Sequence, residues 1–571
     1  MISWIPPQLQ SIFSAKSRDS HRVTFLTLIT LVLLPINTSA QVLDIKDNDI
    51  VAFVGGTNLV RMQKAGELEA ALTEHFLDAK PQFRSLAWDG DTVFFQSSVR
   101  ERWRDEAFGD WNAQLERVGA TVVIAQFGKI ESLEGERNLD AFVEAYGELV
   151  ERLSRNGRRL ILLGPGPFEW PEVDATNLFL YTSAIEEFAK SRSLPFVACD
   201  HASPTDSLIK GLISRQPKLN KARLAAVREK YRLWSEYWQP SNWKCLFGDD
   251  KKRIFAVASE GLPSFQEEWA TYPALIEKAE LAVWEAREVI RTQAPELTGS
   301  GDAKFEKELD EFEVLDGFEV NLFADESMGI RNPLVIRWDA KGTAYVACSD
   351  VYPQIEPGVL PNDKIIALTD SDADGKADGS KVFADGLNIP TGMEVGYDEV
   401  YVGHDTELLR FRDTDGDGVS DERKILLSGF GNGDSHQTSN GFAWSPGGEL
   451  WFCQGDGIES RVETPFGVSS LFQAGVYRLR PNELRLDPLL DDFMGPGNPW
   501  GVGFDDFGQS FVIDGAGGVS FLTPGSIPAQ RRLRLPRIGK PGGHCGITCL
   551  SARTFPDGMN GDFVIGDYKK N

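Results

Sequence analysis

The sequence predicts a two-part chain: a three-layer α/β domain built on a parallel sheet, then an all-β propeller. Three observations carry this. Over residues 45–205 short apolar segments alternate with amphipathic helical ones, the pattern of a sheet covered on both faces. Past residue 311 helical periodicity stops, and short strands separated by Gly and Asp turns take over. A turn-then-strand unit recurs there. Its aromatics Tyr345, Tyr401, Trp451, Phe511 and Phe563 are separated by 56, 50, 60 and 52 residues, a spacing that suits four strands per unit. At 571 residues the chain is also too long for a single core.

Taken in order, residues 1–40 have the make-up of an export signal. Lys16, Arg18 and Arg22 precede the apolar run "FLTLITLVLLP" (25–35), and a small residue, Ala40, stands at the expected cut. The expected location is the periplasm or cell surface, with an uncleaved membrane anchor as the alternative. The strands of the α/β domain (45–205) are "IVAFVGG", "FRSLAW", "TVVIAQFG", "RLILLGPG" and "LPFVACD". Between them lie helices such as "NLDAFVEAYGELVERLSRNG", closed by a glycine. Residues 206–310 read as a helical connector ending in the linker "TGSGD". Residues 311–571 hold five visible repeats. A ring short of blades leaves sheet edges open, so either the propeller continues beyond this sequence, the expected case, or "FEVNLF" (318–323) closes a small ring.

The formal net charge of −26 excludes nucleic acid as a partner, because a phosphate backbone would be repelled. Of the six cysteines, Cys545 and Cys549 in "CGITC" are close enough in sequence to invite pairing, and Cys199, Cys348 and Cys453 read as core residues. No CxxCH is present, so no haem attaches to this chain.

Two acidic loops, "DSDADGKAD" (370–378) and "DTDGDGVSD" (413–421), repeat 43 residues apart. Asp370, Asp372, Asp374 and Asp378, then Asp413, Asp415, Asp417 and Asp421, occupy positions 1, 3, 5 and 9, with Gly at 6. That is the order in which oxygen ligands wrap Ca²⁺. Lys381 and Lys424 replace the bidentate Glu at position 12. The reading is a Ca²⁺-stabilised pair of hairpin turns; the alternative is acidic surface turns.

The segments "FEVNLFADES", "NPLVIRWDAKGTAYVA", "DSDADGKADGSKVFADGLNIPTGM", "NPWGVGFDDFGQSFVID" and "GGHCGITCLSARTFPDGMNGDFVIGDYKKN" together resemble the membrane-bound dehydrogenase family of planctomycete-type bacteria. These are propellers like pyrroloquinoline quinone (PQQ) glucose dehydrogenase. The resemblance implies oxidation of a sugar or alcohol and a c-type haem domain, downstream or on a partner, that accepts the electrons. It implies that His436, ahead of "WSPGGELWF", is the general base. The family's Arg-Asn-Pro stretch at the cofactor matches "GPGNPWG", where Asn498 and Pro499 remain and Gly497 replaces Arg.

Residues 45–290 resemble the SGNH/GDSL-hydrolase-like module that precedes such propellers. Thr57 in "GGT" takes the nucleophile position and Gly90 the second block, while Ile130 stands where an oxyanion-binding Asn belongs. Asp200 and His201 are adjacent instead of spaced as Asp-x-x-His. The hydrolase is therefore expected to be dead, because a hydroxyl without a positioned base is a poor nucleophile. Asp89 and Glu131 are expected to cap helices or face solvent, and His404 and His544 are lesser candidates. Three functions follow: a quinone-dependent sugar or alcohol dehydrogenase, a non-catalytic exported protein that binds glycan or a partner, and an esterase or deacetylase using Thr57 with His201.

Overall fold

The computed structural model describes residues 42–94, 102–252, 257–258, 261–295, 309–491, 497–515, 519–522, 533–534, 543–552, 554–556 and 558–567. The export signal and the "TGSGD" linker lie outside them. Among the described residues no helix is long and apolar enough to cross a membrane.

The N-terminal part is a parallel α/β domain. Strands β1 (Ile50–Gly55), β2 (Gln82–Ser85), β3 (Val122–Gln126), β4 (Arg159–Leu163) and β5 (Phe196–Val197) form one sheet in the order β2-β1-β3-β4-β5, all pairs parallel. Successive residues of a strand point to opposite faces, and the core follows that rule. Ala52, Val54, Val123, Ala125, Leu160 and Leu162 face one helical layer. Val51, Phe53, Val122, Ile124, Ile161 and Leu163 face the other. The second layer includes helix α1 (Thr57–Ala65), which leaves β1 through Gly56.

Residues 206–310 do more than connect. Trp234 and Trp238 of the helix Lys221–Trp238, and Tyr272, Ile276 and Ala279 of Tyr272–Glu285, join the same core as the sheet. Each large apolar side chain buried this way contributes about 1.5–3 kcal/mol.

The C-terminal part is antiparallel β. Its first sheet holds Pro333–Trp338, Ala344–Cys348, Asp363–Thr369 and Gly379–Leu387. The second holds Gly392–Val395, Val400–His404, Glu407–Arg412 and Glu422–Ser428. The third holds Asn440–Trp444, Leu450–Gln454, Gly475–Arg480 and Arg485–Asp491, with the hairpin Ser460–Thr464/Gly467–Leu471 inserted. The fourth holds Pro499–Phe504, Ser510–Asp514, Val519–Leu522 and Leu533–Arg534, and a further pair is His544–Cys549 with Phe563–Asp567.

The first strand of each sheet packs on the first strand of the next, so these are the inner strands of a radial row. Each aromatic of the sequence repeat lies on the second strand of its sheet or pair. Among the described residues the row does not close into a ring.

Two expectations are corrected. Residues 318–323 form no strand and close nothing: Ala377 N–H donates to the Phe323 carbonyl, and the segment lies along the first sheet. Cys545 and Cys549 sit on the same extended strand, four residues and so about 13 Å apart, too far for a disulfide.

Candidate functional site

Two places collect chemistry-bearing side chains. The first lies at the carboxyl ends of β1 and β3, where the chain order switches direction across the sheet and α/β folds place their ligands. Thr57 opens α1 there and is 2% exposed. Its hydroxyl accepts the Gly90 N–H at 3.2 Å. Its own N–H donates to Glu463 Oε1 at 3.1 Å, across 406 residues of sequence. Glu463 belongs to the inserted hairpin of the third β-sheet, so the C-terminal part reaches into this pocket of the α/β domain.

Lys129 pairs with Glu463 Oε2 at 2.7 Å, and its ammonium also donates to Asn58 Oδ1 at 2.8 Å and Glu169 Oε2 at 3.3 Å. Burial alone would raise the Glu463 pKa, yet Lys129 and the Thr57 contacts hold it below the ordinary carboxylate value. With the carboxylate in place, the remaining pocket is about 20 Å³, room for about one water.

Asp89 and Glu131, expected as structural residues that cap helix starts or face solvent, do not face solvent: both are buried. Glu131 clamps the loops below the pocket by accepting Val93 N–H and Gly128 N–H, each at 2.9 Å. Asp89 accepts the Ser428 hydroxyl of the C-terminal part at 3.2 Å. Burial pushes Asp89 up to about 6 and Glu131 to about 7. His201 lies at 3.3 Å from the Pro165 carbonyl and stacks on Phe179. No contact between it and Thr57 is seen among the described residues.

The second place is the end of the β-row where the inner strands begin. In an antiparallel sheet the connection from second to third strand lies at that same end. His436 precedes Asn440–Trp444, and Asn498 precedes the neighbouring inner strand Pro499–Phe504. His436 Nδ1 lies 2.8 Å from Asp434 Oδ1, which also accepts the His436 N–H at 3.0 Å. The Tyr352 ring packs edge-on against the imidazole at 5.0 Å. Asn498 Oδ1 accepts the Trp500 indole N–H at 2.8 Å.

Sequence reasoning missed a residue here. Arg331-Asn332-Pro333 leads into the first inner strand, and it is the Arg-Asn-Pro triplet that "GPGNPWG" lacks. The signal was the x-Asn-Pro with which both of these inner strands begin. Asn332 Nδ2 donates to the Ser349 carbonyl at 3.1 Å, and the Tyr352 N–H donates to Ser349 Oγ at 3.0 Å, which links the start of this strand to the ring against His436. Arg331 Nη1 is buried without a hydrogen-bond partner among the described residues, as are Asp350 Oδ1, Asn388 Oδ1, Gln437 Oε1 and Asn440 Oδ1. All five lie in loops or at a strand start at this end of the row, and buried polar groups of this kind are ordinarily met by ordered water or a ligand.

Burial pushes His404 down to about 4, and its Nδ1 accepts the Asn388 N–H at 2.8 Å. His544 is buried at the start of its strand. The acidic loops join third to fourth strands in the first and second sheets. Carboxylate oxygens of Asp370, Asp372 and Asp374 lie within 4.8 Å of one another, as do those of Asp413, Asp415 and Asp421. Asp378 accepts from Ser371, and Asp417 Oδ1 accepts the Val419 N–H at 2.8 Å. Lys381, at the first loop's position 12, donates to the Asp417 carbonyl of the second loop.

Residues 304–534 match the model of a domain of unknown function, DUF7133. No curated protein matches the chain. Among solved structures, part of it is similar to the holo PQQ domain of pyranose dehydrogenase from Coprinopsis cinerea: 13% identity, 36% of this chain and 48% of that one, TM-score 0.25. It is similar to virginiamycin B lyase from Staphylococcus aureus (14%, 38% and 60%, 0.24) and to an acetylxylan esterase from Geobacillus stearothermophilus (13%, 27% and 77%, 0.21). The chain thus spans about half of the pyranose dehydrogenase domain. Likenesses this slight leave the chemistry to the side chains.

Proposed function

We propose that the C-terminal part is a propeller-type dehydrogenase that oxidises a sugar or alcohol at the end where its inner strands begin, with His436 as general base. The observation that carries this reading is the Asp434–His436 pair at the same end as the unpartnered Arg331 guanidinium nitrogen. PQQ, a tricarboxylate, needs cationic donors, and an orphaned Arg nitrogen suits one of its carboxylates; Asn498 supplies an amide at the start of another inner strand. The quinone, when bound, supplies the two-electron acceptor.

The chain's own part is to hold and move a proton. Asp434, buried and bonded to Nδ1, keeps the neutral ring's hydrogen on that nitrogen, so Nε2 is the basic atom. It takes the proton of a substrate hydroxyl, and Asp434 stabilises the resulting imidazolium. Tyr352 fixes the ring plane. Export, Ca²⁺ in the two acidic loops and a c-type haem partner belong to the same proposal.

A non-catalytic binding role is the second reading, and one observation favours it. Asn242 of the helical segment roofs the His436 loop: its Oδ1 accepts the Ser435 N–H at 2.8 Å and its Nδ2 donates to the Pro353 carbonyl at 2.7 Å. A dye-linked dehydrogenase assay with added PQQ and Ca²⁺ separates the two. The dehydrogenase reading expects turnover that His436→Ala lowers by roughly 100-fold or more. Wild-type protein that turns over no sugar or alcohol yet is retained on a polysaccharide column contradicts it.

A further inference from the structure

We propose that the pocket at Thr57 is a receptor for one carboxylate group, filled in cis by Glu463, and that it takes a free short-chain carboxylate once Glu463 is withdrawn. This stands independently of the redox reading.

The pocket offers one carboxylate's worth of donors. The Thr57 N–H points outward from the first turn of the nine-residue helix α1, whose N-terminus favours negative charge. The Lys129 ammonium, 6% exposed, supplies the counter-charge at 2.7 Å. Lys129 does not depend on Glu463 for its position. Asn58 and Glu169 hold its ammonium, and the Trp170 ring lies 5.3 Å beneath it. The donors are therefore arranged before the anion arrives, which lowers the cost of binding.

Space is reserved as well. A Cβ on Gly56 would come 2.9 Å from Glu463 Oε1 and 2.8 Å from the Asp91 carbonyl, so only glycine admits the carboxylate. Glu131 lines the pocket with its oxygens already taken by the Val93 and Gly128 N–H groups, and the charge facing the anion is the single ammonium of Lys129. The pocket therefore suits a small monoanion, the chemical class that an acyl hydrolase releases. Here the group is presented permanently by the other part of the chain, and it clasps the two parts together.

Glu463→Ala removes CH₂COO⁻, the outline of acetate, and this gives the test. Thermal unfolding of the full chain is followed against sodium acetate, with sodium chloride at equal ionic strength as control. The proposal expects Glu463→Ala to melt below wild type and to recover by a saturable rise in Tm of a few degrees in acetate. Wild type should not respond, and Glu463→Ala with Lys129→Met should lose the rescue. No acetate-specific rise, or the same rise in all three proteins, overturns it. If Glu463→Ala does not fold in chloride, its refolding yield is the readout: acetate-dependent recovery supports the proposal and its absence overturns it.

Discussion

Asp89 shows how a single buried carboxyl couples the two parts. It faces Glu463, Glu407 and Arg61, touches Thr57, and accepts from Ser428. Burial raises its pKa to about 6, so folding shifts this carboxyl toward its neutral form relative to the unfolded chain. A raised carboxyl contributes stability that is full below its unfolded value of 3.8 and is lost as pH rises through about 6. Glu463 has the opposite sign: held below 4.5, its contribution is present above that value and fades as pH falls. The contact between the parts should be tightest near pH 4 to 4.5, where Glu463 is ionised and Asp89 still holds its proton, and should weaken as pH rises toward about 6. Melting curves at pH 5 and pH 8 check this: wild type should lose a few degrees more than Asp89→Asn over that range. An equal loss in both contradicts it. At this scale legibility was uneven. Thr57 and Gly90 were readable because a strand-turn motif is local. Glu463 was not, because nothing in "SRVETPFG" reveals which distant helix its carboxylate meets. Arg331 was readable in principle, since its triplet repeats the x-Asn-Pro of 497–499 at an earlier inner strand.

The acidic hairpins make the clearest case among the elements. Each loop folds by Asx-type turns in which the leading Asp accepts backbone N–H groups: Gly375 N–H at 2.9 Å from Asp370 Oδ2, and Gly418 N–H at 2.8 Å from Asp413 Oδ2. The clustered carboxylates repel one another, and a cation between them would relieve that. Calcium is therefore expected to raise Tm by a few degrees above the EDTA-treated protein, with the gain reduced by Asp370→Asn and by Asp413→Asn. Identical melting with Ca²⁺ and EDTA would leave the loops as plain turns. The hairpins and aromatic second strands were legible because period-two alternation and turn residues are short-range signals. The apolar run 318–323 misled because apolar residues also line the outside of a sheet, as Phe323 does against the first one. The Cys545–Cys549 spacing misled because four residues span one helical turn but a long stretch of strand.

Across the whole molecule the helical segment predicted as a connector is the piece that binds the halves. Its tryptophans complete the α/β core, while Asn242 and Lys244 dock on the loop Asn432–Ser435 through bonds to the Asn432 and Gly433 carbonyls. Composition could show that these residues were helical. It could not show which partner their faces would meet. The α/β domain, its pocket filled by Glu463, contacts a β-row whose inner-strand end carries His436, Asn498 and Arg331. The central claim is that this end binds an anionic quinone through Arg331. The direct measurement is a PQQ titration followed by tryptophan fluorescence, in wild type and Arg331→Ala. Saturable quenching is expected in wild type. Loss of one charge-assisted hydrogen bond, ~1.5–3 kcal/mol, should weaken it roughly 10- to 150-fold in the variant. Wild-type protein that shows no saturable binding, or a variant that binds equally well, would contradict the account.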